Sequence, residues 1–396
     1  MLRYRSLTSS DIPPSPAVCK KGWVEAMIYR ARALRVRPFI LALVLPRPFI
    51  LALVLPFLGL LLSSMAEGKT IRVPHDYGVI QDAVDAASPG DEIDVSGGRY
   101  CGAIVAKKLF LKAVGSSTVT IKGCTGGPLL FGNLRVGFLL PGAGGNSQSN
   151  GTEIHGFAFD GKGISNTNLA PLAFGIFARF ANQVTVEDNQ FTGTVQAITN
   201  TAGDGWSVSD NHVTGLTLFD CTSNCGGGSG IIMQAATDSL AVNGDLSNPI
   251  NRPETNVIVN NSVSGTAPAG FQEFDMDGIF LLGADDTAVA ENKLDIHPGA
   301  GTVSSPTNIL ATGILVTNVC CGEPTPILPG SRYTTLLLND GHTSPYTIVV
   351  DGMGGVNSTG LILFGNVGHL LVEGLPLALT STAIKSDRMS RRTHYQ

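Results

Sequence analysis

The chain has 396 residues, of which 14% are charged and 7% aromatic, with 48 glycines, 26 Lys+Arg against 31 Asp+Glu and a formal net charge of −5. Residues 1–66 hold 9 of the basic and 2 of the acidic side chains, so the remainder carries 17 basic and 29 acidic residues, a net of −12. That balance excludes nucleic acid and anionic membrane surfaces as partners, because both select a basic face.

Residues 1–66 read as a signal or leader segment. Arg30, Arg32, Arg35 and Arg37 form a basic region, an apolar stretch follows, and Ser64-Met65-Ala66 supplies the small residues of a signal-peptidase site. Residues 37–46 and 47–56 are the same string in tandem, read as a duplication inside the leader. The uninterrupted apolar run Phe49–Leu62 falls short of the roughly 18–20 residues that cross a bilayer, so no stable membrane span is expected. Asp11, Pro13, Pro14 and Pro16 do not suit a signal n-region, which leaves Met27 as an alternative start. The expected location is secreted, periplasmic or cell-surface.

Beyond the leader, Ile80, Ala83, Val84 and Ala87 fall at i, i+3, i+4 and i+7 and predict one short amphipathic helix. Asp76 is its expected N-cap, and the neighbouring His75 is read as structural. After Pro89-Gly90 the apolar period changes to two, through Ile93/Val95, Ile104, Leu109/Leu111 and Val119/Ile121, and no second long helical pattern follows. One helix before a procession of short strands suits a solenoid whose open first rung must be covered.

The string Ile80-Gln81-x-Ala83-Val84-x-Ala86-Ala87-x-x-Gly90-Asp91-x-Ile93-x-Val95, with Gly98-x-Tyr100 and Lys107-Lys108-Leu109-x-Leu111, resembles the opening of right-handed parallel β-helix proteins. These form the pectin-lyase-like superfamily, which includes NosD-type proteins. The resemblance implies an all-β, right-handed parallel β-helix over residues 67–385 with a short N-terminal capping helix. It implies no single reaction, since the superfamily holds lyases, hydrolases, epimerases, esterases and scaffolds.

A weak internal repeat agrees with that fold. Segments ending at Asn189, Asn211, Asn261 and Asn292 share the template apolar-x-apolar-x-x-Asn-x-apolar, and the first two asparagines lie one rung of 22 residues apart. Each is expected at a tight corner, tolerating a left-handed backbone and stacking its amide on the next rung. Cys101 and Cys124 are spaced to bridge adjacent rungs. Cys221 and Cys225 are read as closing a loop, the rival being a zinc site with Cys320 and Cys321. Segments rich in Gly, Pro and Ser predict loops at 141–151, 223–230, 244–254, 299–308 and 321–331, and residues 386–396 read as a frayed basic tail.

The densest chemistry runs from Glu273 to Asp286 and on through Glu291, Lys293, Asp295 and His297. Asp275 and Asp277 are two apart and would share a strand face. With Asp285 and Asp286 they are the candidate catalytic residues, since two carboxylates flanking a glycosidic bond can divide the roles of acid and of base or nucleophile. The same four oxygen donors suit Ca²⁺, the one cofactor considered and not a required one. The third reading is turn chemistry at Asp277-Gly278 and Asp285-Asp286. Arg332, Asp340 and His342, near Tyr346, form an alternative site in which an Asp–His pair orients a proton carrier, although Asn339-Asp340-Gly341 is also a turn signal and the turn is the favoured reading.

Between Val136 and Ser331 the only basic residues are Lys162, Arg179, Arg252 and Lys293, against 18 acidic ones. A uronate lyase or epimerase must hold a polyanion and stabilise charge developing beside a carboxylate, so this segment argues against both. The Arg-and-Pro strand pattern of pectate lyases is missing, as is the full polygalacturonase set, of which Gly283-Ala284-Asp285-Asp286 resembles only the aspartate pair. The expected function is therefore binding or scaffolding of an extracellular polysaccharide or cell-surface glycan. Hydrolysis of a neutral or weakly charged glycan is the alternative, with polyuronate lyase or epimerase chemistry third.

Overall fold

The computed structural model describes residues 68–130, 133–143, 146–165, 168–217, 228–237, 250–267, 276–298, 311–317, 330–350, 358–373 and 389–392. The expectations for residues 1–66, for Asp275 and for Cys221, Cys225, Cys320 and Cys321 lie outside them. Strands too short to stand alone pair in parallel with their equivalents one coil on, and the chain winds as a right-handed parallel β-helix with three faces.

Sheet I begins with Thr70–Val73 and includes Glu153–His155, Thr185–Glu187, Ser207–Ser209, Val257–Val259, Ala288–Ala290, Thr335–Leu337 and Ile362–Phe364. Sheet II includes Ala158–Asp160, Gln190–Thr192, His212–Leu216, Ser262–Thr266 and Lys293–His297, and the long strands Glu92–Cys101 and Phe110–Lys122 bend from sheet I into it. Sheet III includes Leu134–Leu140, Leu172–Arg179, Gln196–Thr201, Gly228–Gln234, Met276–Leu282, Ala311–Thr317, Tyr346–Val350 and Leu370–Glu373. Met389–Arg392 pairs with Leu370–Glu373, which makes a strand of residues expected to fray.

Inward side chains from all three faces merge into one core. Within it Phe159 stacks on Phe191 at 4.6 Å between ring centroids, and Phe138 meets Phe157 edge-on at 5.2 Å. The helix α1 (Ile80–Ala86) buries Ile80, Ala83 and Val84 against the first strands. Asp76 does not cap it, because three residues separate them and Val79 takes the N-cap position. Asp76 instead accepts the Arg72 backbone N–H at 2.8 Å and pairs with the His75 ring. Cys101 and Cys124 are joined across adjacent coils, as their spacing predicts, with Cα atoms 5.4 Å apart.

The corners between sheets I and II are where the asparagines stack. Asn189, Asn211, Asn261, Asn292, Asn339 and Asn366 form an unbroken ladder, each Nδ2 donating to the Oδ1 of the next at 2.9–3.1 Å. The left-handed backbone expected of these asparagines belongs to the residue before each: Asp188, Asp210, Asn260, Glu291 and Leu338 have φ of 53–58°, and Gly365 has φ 63°. That residue turns the chain, so the asparagine after it can point inward and satisfy the corner's carbonyls.

At the first coils the outer face of sheet I is charged. Glu92 pairs with Lys112, while burial, followed by repulsion from Glu92, pushes the Asp94 carboxyl above the usual carboxylate range. A raised folded-state pKa means that the folded protein holds this proton more tightly than the unfolded chain. Its contribution to stability is present at low pH and is lost as pH rises through the folded value. Asp94→Asn should therefore stabilise the protein at neutral pH, with the gain shrinking on acidification. Urea denaturation at pH 7 and pH 4 checks this, and a loss at pH 7 would reverse the assignment.

Candidate functional site

The corners from sheet I to sheet II are short and uniform, because the asparagine ladder fixes them. Connections to and from sheet III vary widely in length, and every long Gly/Pro/Ser-rich segment of the middle coils adjoins one of its strands.

The strands of sheet III carry a repeat of their own. Phe174-Gly175-Ile176-Phe177, Gln196-Ala197-Ile198-Thr199, Ser229-Gly230-Ile231-Ile232, Asp277-Gly278-Ile279-Phe280 and Thr312-Gly313-Ile314-Leu315 lie in register on consecutive coils. In each, the first and fourth residues face outward, while the isoleucine enters the core. Four of the five carry glycine at the second position and one carries Ala197; where glycine stands the approach is close, a Cβ on Gly175 lying 2.5 Å from the Ala197 carbonyl and from the Phe191 ring, and one on Gly278 2.6 Å from the Gly313 carbonyl. This repeat is visible in the sequence but was hidden by reading Asp277-Gly278 as a turn. Those residues lie inside the strand Met276–Leu282.

The result is a polar column, Gln196, Ser229, Asp277 and Thr312, crossing four coils about 4.8 Å apart. Asp277 is 3% exposed, and Thr312, at 0%, has a hydroxyl with no hydrogen-bond partner among the described residues. Gln196 Oε1 accepts from Thr199 at 2.8 Å. Beside this column runs a mainly apolar one, Phe177, Thr199, Ile232, Phe280, Leu315 and Val349, in which Phe177 and Phe280 are half-buried, while half-buried Tyr346 continues the first column after Thr312. Arg179, Thr201, Gln234 and Thr317 flank it beyond, with Gln234 Nε2 donating to Thr201 Oγ1 at 2.9 Å.

The three described candidate aspartates are not gathered at one place. Asp277 faces outward on sheet III, whereas Asp285 and Asp286 occupy the corner that leads to sheet I. Asp285 is buried in a clasp: Oδ1 accepts Arg252 Nη1 at 2.6 Å and the Arg332 backbone N–H at 2.9 Å, while Oδ2 accepts Arg332 Nε at 2.9 Å and Nη2. A carboxylate with both oxygens committed to cations is a poor proton carrier and a poor calcium ligand. Asp286, exposed at φ 45°, is the turn residue of that corner. Among the described residues no group of three or more His, Cys, Asp or Glu is arranged to hold a metal ion.

The alternative trio is likewise divided, because Arg332 belongs to the clasp and Asp340 to sheet II, where it bridges Lys293 and Val367. Asp340 Oδ1 does pair with His342 Nδ1 at 2.5 Å on an exposed surface. Partial burial raises the Asp340 carboxyl, but hydrogen bonds from the His342 ring and backbone outweigh it and hold the group below its ordinary range. On the preceding coil Asp295 pairs with His297 at 2.8 Å.

Among the described residues no helix is long and apolar enough to cross a membrane. The sequence matches no protein-family model and no curated protein. Among solved structures, the chain is similar to an alginate lyase from Paenibacillus sp. str. FPU-7, with 14% identity, TM-score 0.41, 82% of this chain and 95% of that one covered. It is also similar to PfbA, a surface adhesin of Streptococcus pneumoniae, with 12% identity, TM-score 0.42 and coverage of 82% and 90%. The catalytic domain of a GH87 alpha-1,3-glucanase in complex with nigerose follows, with 12% identity, TM-score 0.41 and coverage of 78% and 56%. At this level of similarity the common property is the fold, the right-handed parallel β-helix built above from the strand pairings.

Proposed function

We propose that this is an exported β-helix protein that binds a neutral or weakly charged glycan along the outer face of sheet III. The reading rests on one observation: Gln196, Ser229, Asp277 and Thr312 align across consecutive coils beside a column of aromatic and aliphatic side chains. Sugar rings present hydroxyls at their edges and C–H groups on their faces, and a polar column beside an apolar one complements both. The carboxylate of Asp277 accepts hydroxyl donors but repels uronate carboxylates, and Arg252 is already committed to Asp285. Anionic glycans are therefore disfavoured.

Affinity electrophoresis in gels containing glucan, mannan, xylan or polyuronate tests this. Retardation is expected with at least one neutral polymer and not with polyuronate. Phe280→Ala and Tyr346→Ala, at half-buried positions of this face, should each weaken it by about tenfold, the loss of an aromatic platform under a sugar ring. Binding unchanged in both variants, or confined to polyuronate, would remove the proposal.

Hydrolysis is the second reading, favoured by the burial of Asp277. It requires a second carboxylate across the bond, and among the described residues sheet III presents Asp277 alone in that column. Release of reducing ends by the wild type, abolished in Asp277→Asn, would promote this reading over binding.

A further inference from the structure

Along the helix axis the outer face of sheet I changes from charged to apolar. Two columns in register make up its later coils: Val257, Ala288, Thr335 and Ile362, and beside them Val259, Ala290, Leu337 and Phe364. Ile362 is 45% exposed, Phe364 48%, and Tyr333, at the adjoining corner, 63%. Of the outward positions here only Thr335 is polar, where a solvated sheet face would alternate its core residues with polar ones. Contiguity by register distinguishes this patch from the scattered surface hydrophobics that need no explanation.

The margins of the patch are acidic. Asp210 and Glu291 stand exposed at the turn into sheet II, and Glu254 and Asp286 at the turn from sheet III. Arg252 and Arg332, beside the corner from sheet III, are bound to Asp285, which leaves exposed Lys293, two residues past Glu291, as the cation at the corner into sheet II. A second copy laid on this face would bring like-charged margins together, an arrangement that costs affinity. Charge complementarity selects a different occupant.

We propose that the C-terminal half of the outer face of sheet I docks a protein segment that is apolar at its centre and basic at its margins. Apolar side chains of the segment cover Phe364, Ile362 and Leu337, while its Lys or Arg side chains meet Glu254, Asp286 and Glu291. The site is separate from the glycan column on sheet III, so one solenoid can hold a polysaccharide on one face and a basic partner on another.

A fluorescent peptide of alternating Leu and Lys, a matched Leu–Glu peptide and a Lys–Ser peptide test the proposal with the intact protein. Saturable binding of the Leu–Lys peptide is expected, weakening with added salt, with far weaker binding of the other two. The double variant Ile362→Ser/Phe364→Ser, whose changes are at exposed positions, should lose at least about tenfold in affinity. Glu254→Gln/Glu291→Gln should lose affinity and flatten the salt dependence. Equal binding of the Leu–Lys and Lys–Ser peptides, or no change in the serine variant, would overturn it. Concentration-dependent dimerisation abolished by the serine pair would instead assign the face to a second copy. Unchanged glycan retention in the serine pair separates this site from the one on sheet III.

Discussion

Asn261→Ala is expected to destabilise the protein by about 3 kcal/mol although its side chain carries no charge and touches no solvent. Asn261 Oδ1 accepts both the backbone N–H and the Nδ2 of Asn211 at 3.0 Å, and its own Nδ2 donates to the Val208 and Val259 carbonyls and to Asn292 Oδ1. Alanine strands the Asn211 backbone N–H where water does not reach and removes a donor from the Val208 and Val259 carbonyls, although Asn211 Nδ2 keeps the Val186 and Ser209 carbonyls and Val259 keeps the Asp210 N–H; each group that finds no substitute costs about 1–3 kcal/mol. Asn261→Asp keeps the acceptor but removes the donors and sets a carboxylate against two carbonyls. It should be the more damaging variant at neutral pH, recovering partly in acid as the carboxyl regains a proton. Urea titrations followed by circular dichroism measure both. A loss below about 1 kcal/mol for the alanine variant would show that the ladder decorates the corners without holding them.

Asp285→Ala should cost a similar amount, about 3 kcal/mol, by leaving the mostly buried Arg252 guanidinium without its counter-charge, with only the Gly330 carbonyl to accept from it, and the Arg332 backbone N–H with only its longer bond to Ala284. The reverse removal is milder. Arg332 is half exposed, so Arg332→Ala leaves Asp285 paired with Arg252 and should cost about 1 kcal/mol. That asymmetry is the diagnostic result for a structural clasp. If Asp285 instead served catalysis on a glycan, Asp285→Asn would abolish turnover while leaving stability unchanged, and that outcome would return it to the list of reactive residues.

Much of the architecture was legible from local pattern. The spacing of Ile80, Ala83, Val84 and Ala87 marks α1, the change to period two marks the strands, and Asn189, Asn211, Asn261 and Asn292 mark one corner of each coil. Cys101 and Cys124 are bonded where one rung of separation places them. Sheet III was harder to read because its outward residues recur at i and i+3, so Asp277 shares a column with Ser229 and Thr312, which are 48 and 35 residues away, and not with its sequence neighbours. Asp285 and Asp286 looked like a reactive pair because adjacent acids always do. Only the placement of Arg252 and Arg332 around one of them shows how different the two are.

The amino-acid sequence by itself determined the winding of this chain, because strand period, corner residues and glycine spacing act over a few residues and repeat from coil to coil. The tertiary structure decided which side chains share a surface. Neighbours across the coils come from positions 22 to 50 residues apart through connections of unequal length, so no local pattern records which polar groups become a column and which become a clasp.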